Sequence, residues 1–167
     1  MRRFFPSLAL CLALAGTAPA HAESVGEKAA DDGTISVPAG DPQMEAAFAE
    51  ARQTWPQFLA AFEAGDGKAK NFSVKLKVVD GAQVEYFWTM NLRRAGEGFE
   101  AEINNEPESV KTVKFGQTMH FKPDEIYDWM YFAGGKMIGN VTLCVLLTRE
   151  PADEAESFKK SYGLACR

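Results

Sequence analysis

Between Ala64 and Asn71 the hydrophobic pattern of this chain changes period, from near 3.6 residues to 2. Upstream, Met44, Phe48, Ala51, Trp55, Phe58, Leu59 and Phe62 recur every three or four residues and form one apolar stripe. That spacing predicts an amphipathic helix. Downstream, Phe72, Val74, Leu76 and Val78 alternate with Ser73, Lys75 and Lys77, as in a half-buried strand. A helix with one apolar stripe and a sheet with one apolar face each need a cover, and each can cover the other.

Local signals bound the helix. Asp41 is a good N-cap, and Pro42 suits the first turn because its missing N–H would be unpaired there. Gly65 and Gly67 end it. Pro56 lies inside, where the ring clashes with the carbonyl four residues earlier, so a kink or break is expected near Thr54-Trp55, with Thr54 capping the second half.

The strands continue as a meander. Asp80-Gly81 signals a two-residue hairpin. Val84, Tyr86, Trp88, Met90 and Leu92 read as the apolar face of the second strand, and Phe99, Ala101 and Ile103 as that of the third. Residues 105–116 are irregular, with a helical turn expected around Glu108 to Thr112. Met119 and Phe121 mark a short strand, Ile126 to Phe132 another, and Gly134-Gly135 a hairpin turn. Met137 to Leu147 reads as a long final strand. Pro151 opens a last helix with acids early, Lys159 and Lys160 late and Gly163 beyond, an order that complements the helix dipole. The fold class is α+β: a kinked N-terminal helix on a strongly bent antiparallel sheet of five to six strands, approaching a small barrel, plus a C-terminal helix.

The N-terminus has the three parts of a secretory signal: Arg2-Arg3, an apolar stretch densest over Leu8 to Gly16, and Ala20-His21-Ala22. Its nine most apolar residues would span about 14 Å as a helix, against about 30 Å of hydrocarbon. Removal of residues 1–22 would leave 145 residues with net charge −7. Residues 23–40 read as a flexible linker, 41–150 as the α+β domain and 151–167 as the C-terminal helix and tail. The expected location is the periplasm or the cell exterior. Such an acidic chain is a poor partner for nucleic acid, and after cleavage no stretch is long enough to span a bilayer. Another envelope protein is the partner class that remains.

After cleavage the only histidine is His120, and the only cysteines are Cys144 and Cys166. Nucleophilic triads need a histidine base, zinc sites need more ligands, and the glycine pair Gly134-Gly135 sits between strands rather than before a helix. No cofactor motif is present, and His120 reads as a solvent-facing edge residue. Carboxylates are the remaining chemistry. Asp124, Glu125, Glu106 and Glu108 read as turn-capping or solvated groups. Asp128 differs, because alternation with Ile126, Met130 and Phe132 buries it, and a buried carboxylate needs partners. Arg93, Arg94, Lys111 or backbone N–H groups are the candidates. Opposite it, Tyr127, Trp129 and Tyr131 line a face that is either covered core or a binding patch.

The segments Asn105-Glu106-Pro107, Val110-Lys111, Phe115-Gly116 and Ile126-Tyr127-Asp128-Trp129-Met130-Tyr131 resemble the bacterial domain of unknown function 2314 family. The likeness continues through Gly135-Lys136, Gly139 and Thr142, includes Ala51-Arg52 and Phe58, and covers roughly residues 43–147. It implies no activity. Where the family usually shows Gly-Asp, this chain has Gly116-Gln117.

Glu106, Lys111, Asp128 and Trp129 form the candidate functional or fold-locking cluster. The expected function is a non-catalytic periplasmic binding or interaction module; the alternative is a small carboxylate-based hydrolase of an envelope polymer. For Cys144 and Cys166 two readings stand open. One is a disulfide that brings the end of the last helix back beside the final strand. The other is a buried Cys144 with a free Cys166 on a frayed tail.

Overall fold

The structure is a computed structural model that describes Pro38 and residues 40–166. The expected leader and most of the linker lie outside the described residues. Helix α1 (Pro42–Ala64) is followed by strands β1 (Ala69–Asp80), β2 (Gln83–Ala95), β3 (Gly98–Ile103) and β4 (Thr118–Phe121). A 3₁₀ turn at Pro123–Glu125 leads to β5 (Ile126–Ala133) and β6 (Lys136–Gly139), then helices α2 (Val141–Leu147) and α3 (Ala152–Tyr162). The six strands form one antiparallel sheet in the order β4-β3-β2-β1-β5-β6. Register shifts in the β1–β5 and β2–β3 pairings bend it, and it stays open.

Helix α1 runs unbroken through Pro56, contrary to the expected interruption. Thr54 does not cap a second half; its hydroxyl donates back to the Glu50 carbonyl at 2.8 Å. The helix holds because both sides of the proline are clamped to the same core. Trp55 and Phe58 stack on one another and are buried with Val74, Leu76, Phe99 and Trp129. The Trp129 indole N–H also donates to the Ala51 carbonyl at 2.8 Å. Asp41 caps the start as read, accepting from the N–H groups of Gln43 and Met44.

Both hairpins form. Asp80 pairs with Gln83, so the loop is Gly81-Ala82, one residue later than the Asp-Gly signal places it. Gly134 and Gly135 both take positive φ, the conformation that a two-residue hairpin loop demands.

Three sequence readings are corrected. The inward face of β2 is not Val84, Tyr86, Trp88, Met90 and Leu92 but Glu85, Phe87 and Thr89. Both faces of β2 carry large groups, and Glu85 tolerates burial because a loop supplies hydrogen bonds to it. The expected final strand 137–147 stops at Gly139 and turns into α2. Gly139 has φ +86°, and a Cβ there would fall 2.3 Å from the Trp129 carbonyl oxygen, so only glycine fits. Asn140 follows in the left-handed region, its N–H donating to the same carbonyl. The apolar run Thr142-Leu143-Cys144-Val145-Leu146-Leu147 then buries one helical side. The expected turn of helix at 108–112 is likewise absent. That stretch is an irregular loop, because its N–H groups are drawn to Glu85 and Asp80 rather than to its own carbonyls.

Candidate functional site

Asp128 sits on β5 directly opposite Lys75 on β1, and Lys75 is directly opposite Trp88 on β2. Directly paired residues share a sheet face, so these three lie together, while Val74, Leu76 and Trp129 point to the α1 side. Asp128 is fully buried. Its Oδ1 accepts from the Trp129 N–H at 2.8 Å, and its Oδ2 from the Thr142 N–H at 2.8 Å and the Thr142 hydroxyl at 2.6 Å. The Thr142 oxygen accepts in turn from the Lys75 ammonium at 2.6 Å, and that ammonium lies 4.6 Å from the Trp88 ring centre.

Lys75, Thr142 and Asp128 therefore form one hydrogen-bonded line between the first turn of α2 and the middle of the sheet. Burial pushes the Asp128 carboxyl above the usual carboxylate range, against the pull of Lys75, Thr142 and the Trp129 N–H. Burial pushes Lys75 below its ordinary value, against the pull of Asp128. The two groups are thus coupled through one hydroxyl in a water-poor setting. Thr142 is fully buried as well, so the carboxylate end of the line is closed to solutes, while Lys75 is half-buried. Its chemistry is to supply a carboxylate cap to α2, whose own N-cap residue Asn140 makes no side-chain cap.

The four residues singled out from the sequence do not meet. Trp129 adjoins Asp128 and packs under α1. Lys111 lies at the end of the β1–β2 hairpin, its N–H donating to Asp80 Oδ2 at 2.7 Å. Asp80 is five residues along β1 from Lys75, roughly 17 Å at strand rise. Glu106 is exposed in the intervening loop. The other expected partners of Asp128 are engaged elsewhere: Arg93 with Glu100, Arg94 with Glu63. Tyr131 is buried with Trp129, whereas Tyr127 is half-buried between Phe48 and Tyr86. Cys144 is bonded to Cys166, and it lies in α2 rather than in a strand. His120 is exposed on β4, 3.6 Å from a Glu100 oxygen. Among the described residues no group of three or more His, Cys, Asp or Glu is placed to hold a metal ion.

A second buried carboxylate went unread in the sequence. Glu85 is 3% exposed. It accepts from the N–H groups of Glu108, Ser109 and Val110 at 3.0, 3.0 and 3.1 Å, and from the Ser109 hydroxyl at 3.0 Å. Burial pushes its carboxyl up, but those donors together hold it below its ordinary value. Lys75 and Thr142 were missed for a related reason: each contributes one polar atom to a contact across 67 residues.

One family profile, described as "Uncharacterized protein conserved in bacteria (DUF2314)", matches residues 41–166. "Uncharacterized protein YegJ" of Escherichia coli (strain K12) is 32% identical over 116 residues, covering 70% of this chain and 74% of that protein. No solved structure matches the chain. The matched span runs from the N-cap of α1 to Cys166 and so takes in the Asp128 line, the Glu85 loop and the disulfide; the chain belongs to the DUF2314 family.

Proposed function

We propose that the protein is exported and acts, in the periplasm or outside the cell, as a non-catalytic binding or interaction module. The observation that carries this reading is how the two buried carboxylates are used. A carboxylate hydrolase needs two such groups facing one cleft, about 5–10 Å apart. Asp128 and Glu85 flank β1 on opposite sides, pairing with Lys75 and Val78. Their Cα atoms are therefore about 14 Å apart, and their side chains leave opposite faces of the sheet. Each is occupied by backbone N–H groups of its own domain.

Binding is better supported at the open end of the β1–β2 hairpin. On the face of the rungs Lys75–Trp88, Lys77–Tyr86 and Val79–Val84, Thr142 of α2 and Phe48 of α1 reach Lys75 and Tyr86, whereas Lys77, Val79 and Val84 are exposed. Val79 and Val84 are 58% and 46% exposed. Lys77 and Arg52 both stand near the Tyr127 ring, at 5.7 and 5.8 Å. The signal-like N-terminus and the Cys144–Cys166 bond both favour an oxidising compartment.

Two experiments test the reading. Mass spectrometry of the accumulated protein should give an N-terminus at Glu23; an intact Met1 on that species overturns export. Pulldown from an envelope extract should capture a partner that a Val79→Asp, Lys77→Glu variant loses. Retention of the same partner by that variant removes this face from consideration.

A further inference from the structure

Helix α3 is attached to the domain unlike the other two. Six residues of α1 are buried, and the Trp129 indole N–H donates to its Ala51 carbonyl. Helix α2 buries four of its seven residues and is tied to Asp128 through Thr142. Of the eleven residues of α3 only Ala155 is buried. Its polar side-chain bonds, Lys159 to Glu156 and Ser161 to the Ser157 carbonyl, close within the helix itself. It lies over an apolar patch that includes Met130, Phe132, Met137, Leu143 and Leu147. Beyond it, Leu164 is buried in the same patch, and the bond from Cys166 to Cys144 ties the chain to the well-held α2. Both cysteines are only half-buried, so an attacking thiolate can reach the bond.

We propose that α3 is a redox-released strap: the Cys144–Cys166 bond holds it over the Met130–Met137 patch, and a dithiol reductant frees it while the sheet stays folded. One thiolate of the reductant attacks a cysteine sulfur, the S–S bond breaks, and the other cysteine leaves as a thiolate. The second reductant thiolate then attacks the mixed disulfide, forming the reductant's own disulfide and releasing the second cysteine. Two electrons pass to the protein, and two protons complete the thiols. Opening α3 with the bond intact keeps a 22-residue segment tethered at both ends. Without the bond the open state gains that conformational freedom, a factor of about three hundred in the opening equilibrium by the chain-entropy relation.

The test is hydrogen exchange on the full chain, oxidised and after treatment with dithiothreitol, with alkylation confirming that Cys144 and Cys166 are free. Amides of 156–163 should exchange up to about three-hundredfold faster in the reduced protein. Those of β1 and β5 and the fluorescence of the protein should stay unchanged, and trypsin should gain cleavage after Lys159 or Lys160. Cys166→Ser, which removes the bond without reductant, should reproduce the change. Unchanged protection of α3 with both thiols free overturns the proposal. So does loss of protection in β1 and β5 together with α3, since the bond would then hold the whole fold.

Discussion

Asp128 and Glu85 are two buried carboxylates on neighbours of the same strand, yet they end on opposite sides of the ordinary carboxylate range. Both accept backbone N–H groups. The difference lies in depth and in donor number. Asp128 is fully enclosed between the sheet and α2, takes three hydrogen bonds and shares its surroundings with a lysine. Glu85 lies under a single surface loop and takes at least four. Desolvation wins at the first site and hydrogen bonding at the second. A polar group that closes a loop remains a good acid, whereas one that joins a helix to a sheet gives up part of its acidity.

The largest effect should come from breaking the deeper site. Asp128→Ala leaves the Thr142 N–H and the Lys75 ammonium without the carboxylate, and removing one member of a buried charged pair costs about 3–5 kcal/mol. Urea denaturation measures it. Adding Lys75→Met should recover much of the loss, because the unpaired cation then goes as well. If the double variant is no more stable than the single one, the charge of Lys75 is not part of the line.

Glu85→Ala should cost less, about 1–3 kcal/mol, since each freed loop N–H is close to water. Its effect should also be local. Exchange of the Ser109 and Val110 amides should rise, while the amides of β5 keep their protection. Equal loss across both regions would mean that the two sites are one cooperative unit. Smaller again, Thr142→Val removes the hydroxyl between Lys75 and Asp128 but keeps the Thr142-position N–H on the carboxylate. About 1–2 kcal/mol is expected, read by the same denaturation.

The legible part of the fold was whatever rests on local periodicity and turn chemistry. Helix α1, the two hairpins, the apolar face of β3 and the burial of Asp128 all follow from patterns within ten or so residues. What was not legible depended on distant partners. The parity of β2 is ambiguous in sequence because Tyr86 and Trp88 are as bulky as Phe87. It is decided by Glu85 finding the amides of residues 108–110, 23 to 25 positions away. The run 137–147 is β-branched and apolar enough for a strand, yet Gly139 and Asn140 turn it, and Asp128 caps the helix that results. Gly139 beside Asn140 was the one available sign of that break. The proline in α1 errs the other way, a strong local signal overridden by packing on both sides.

The comparison also predicts opposite responses to acid. For Glu85 the folded carboxyl is the stronger acid, so the unfolded chain binds more protons as pH falls. Its stabilisation is therefore present above the unfolded value of about 4.5 and is lost as pH drops through the lower folded value. For Asp128 the folded carboxyl is the weaker acid. Its contribution is greatest below the unfolded value, near 3.8, and declines as pH rises through the higher folded one. Each slope is bounded by one proton, about 1.4 kcal/mol per pH unit. Stability measured from pH 3 to pH 7 separates the two. Glu85→Gln should flatten the loss on the acid side, and Asp128→Asn should flatten the decline on the side above it. If both variants change the same limb in the same direction, the two carboxylates do not differ in the way that their hydrogen bonds and depth require.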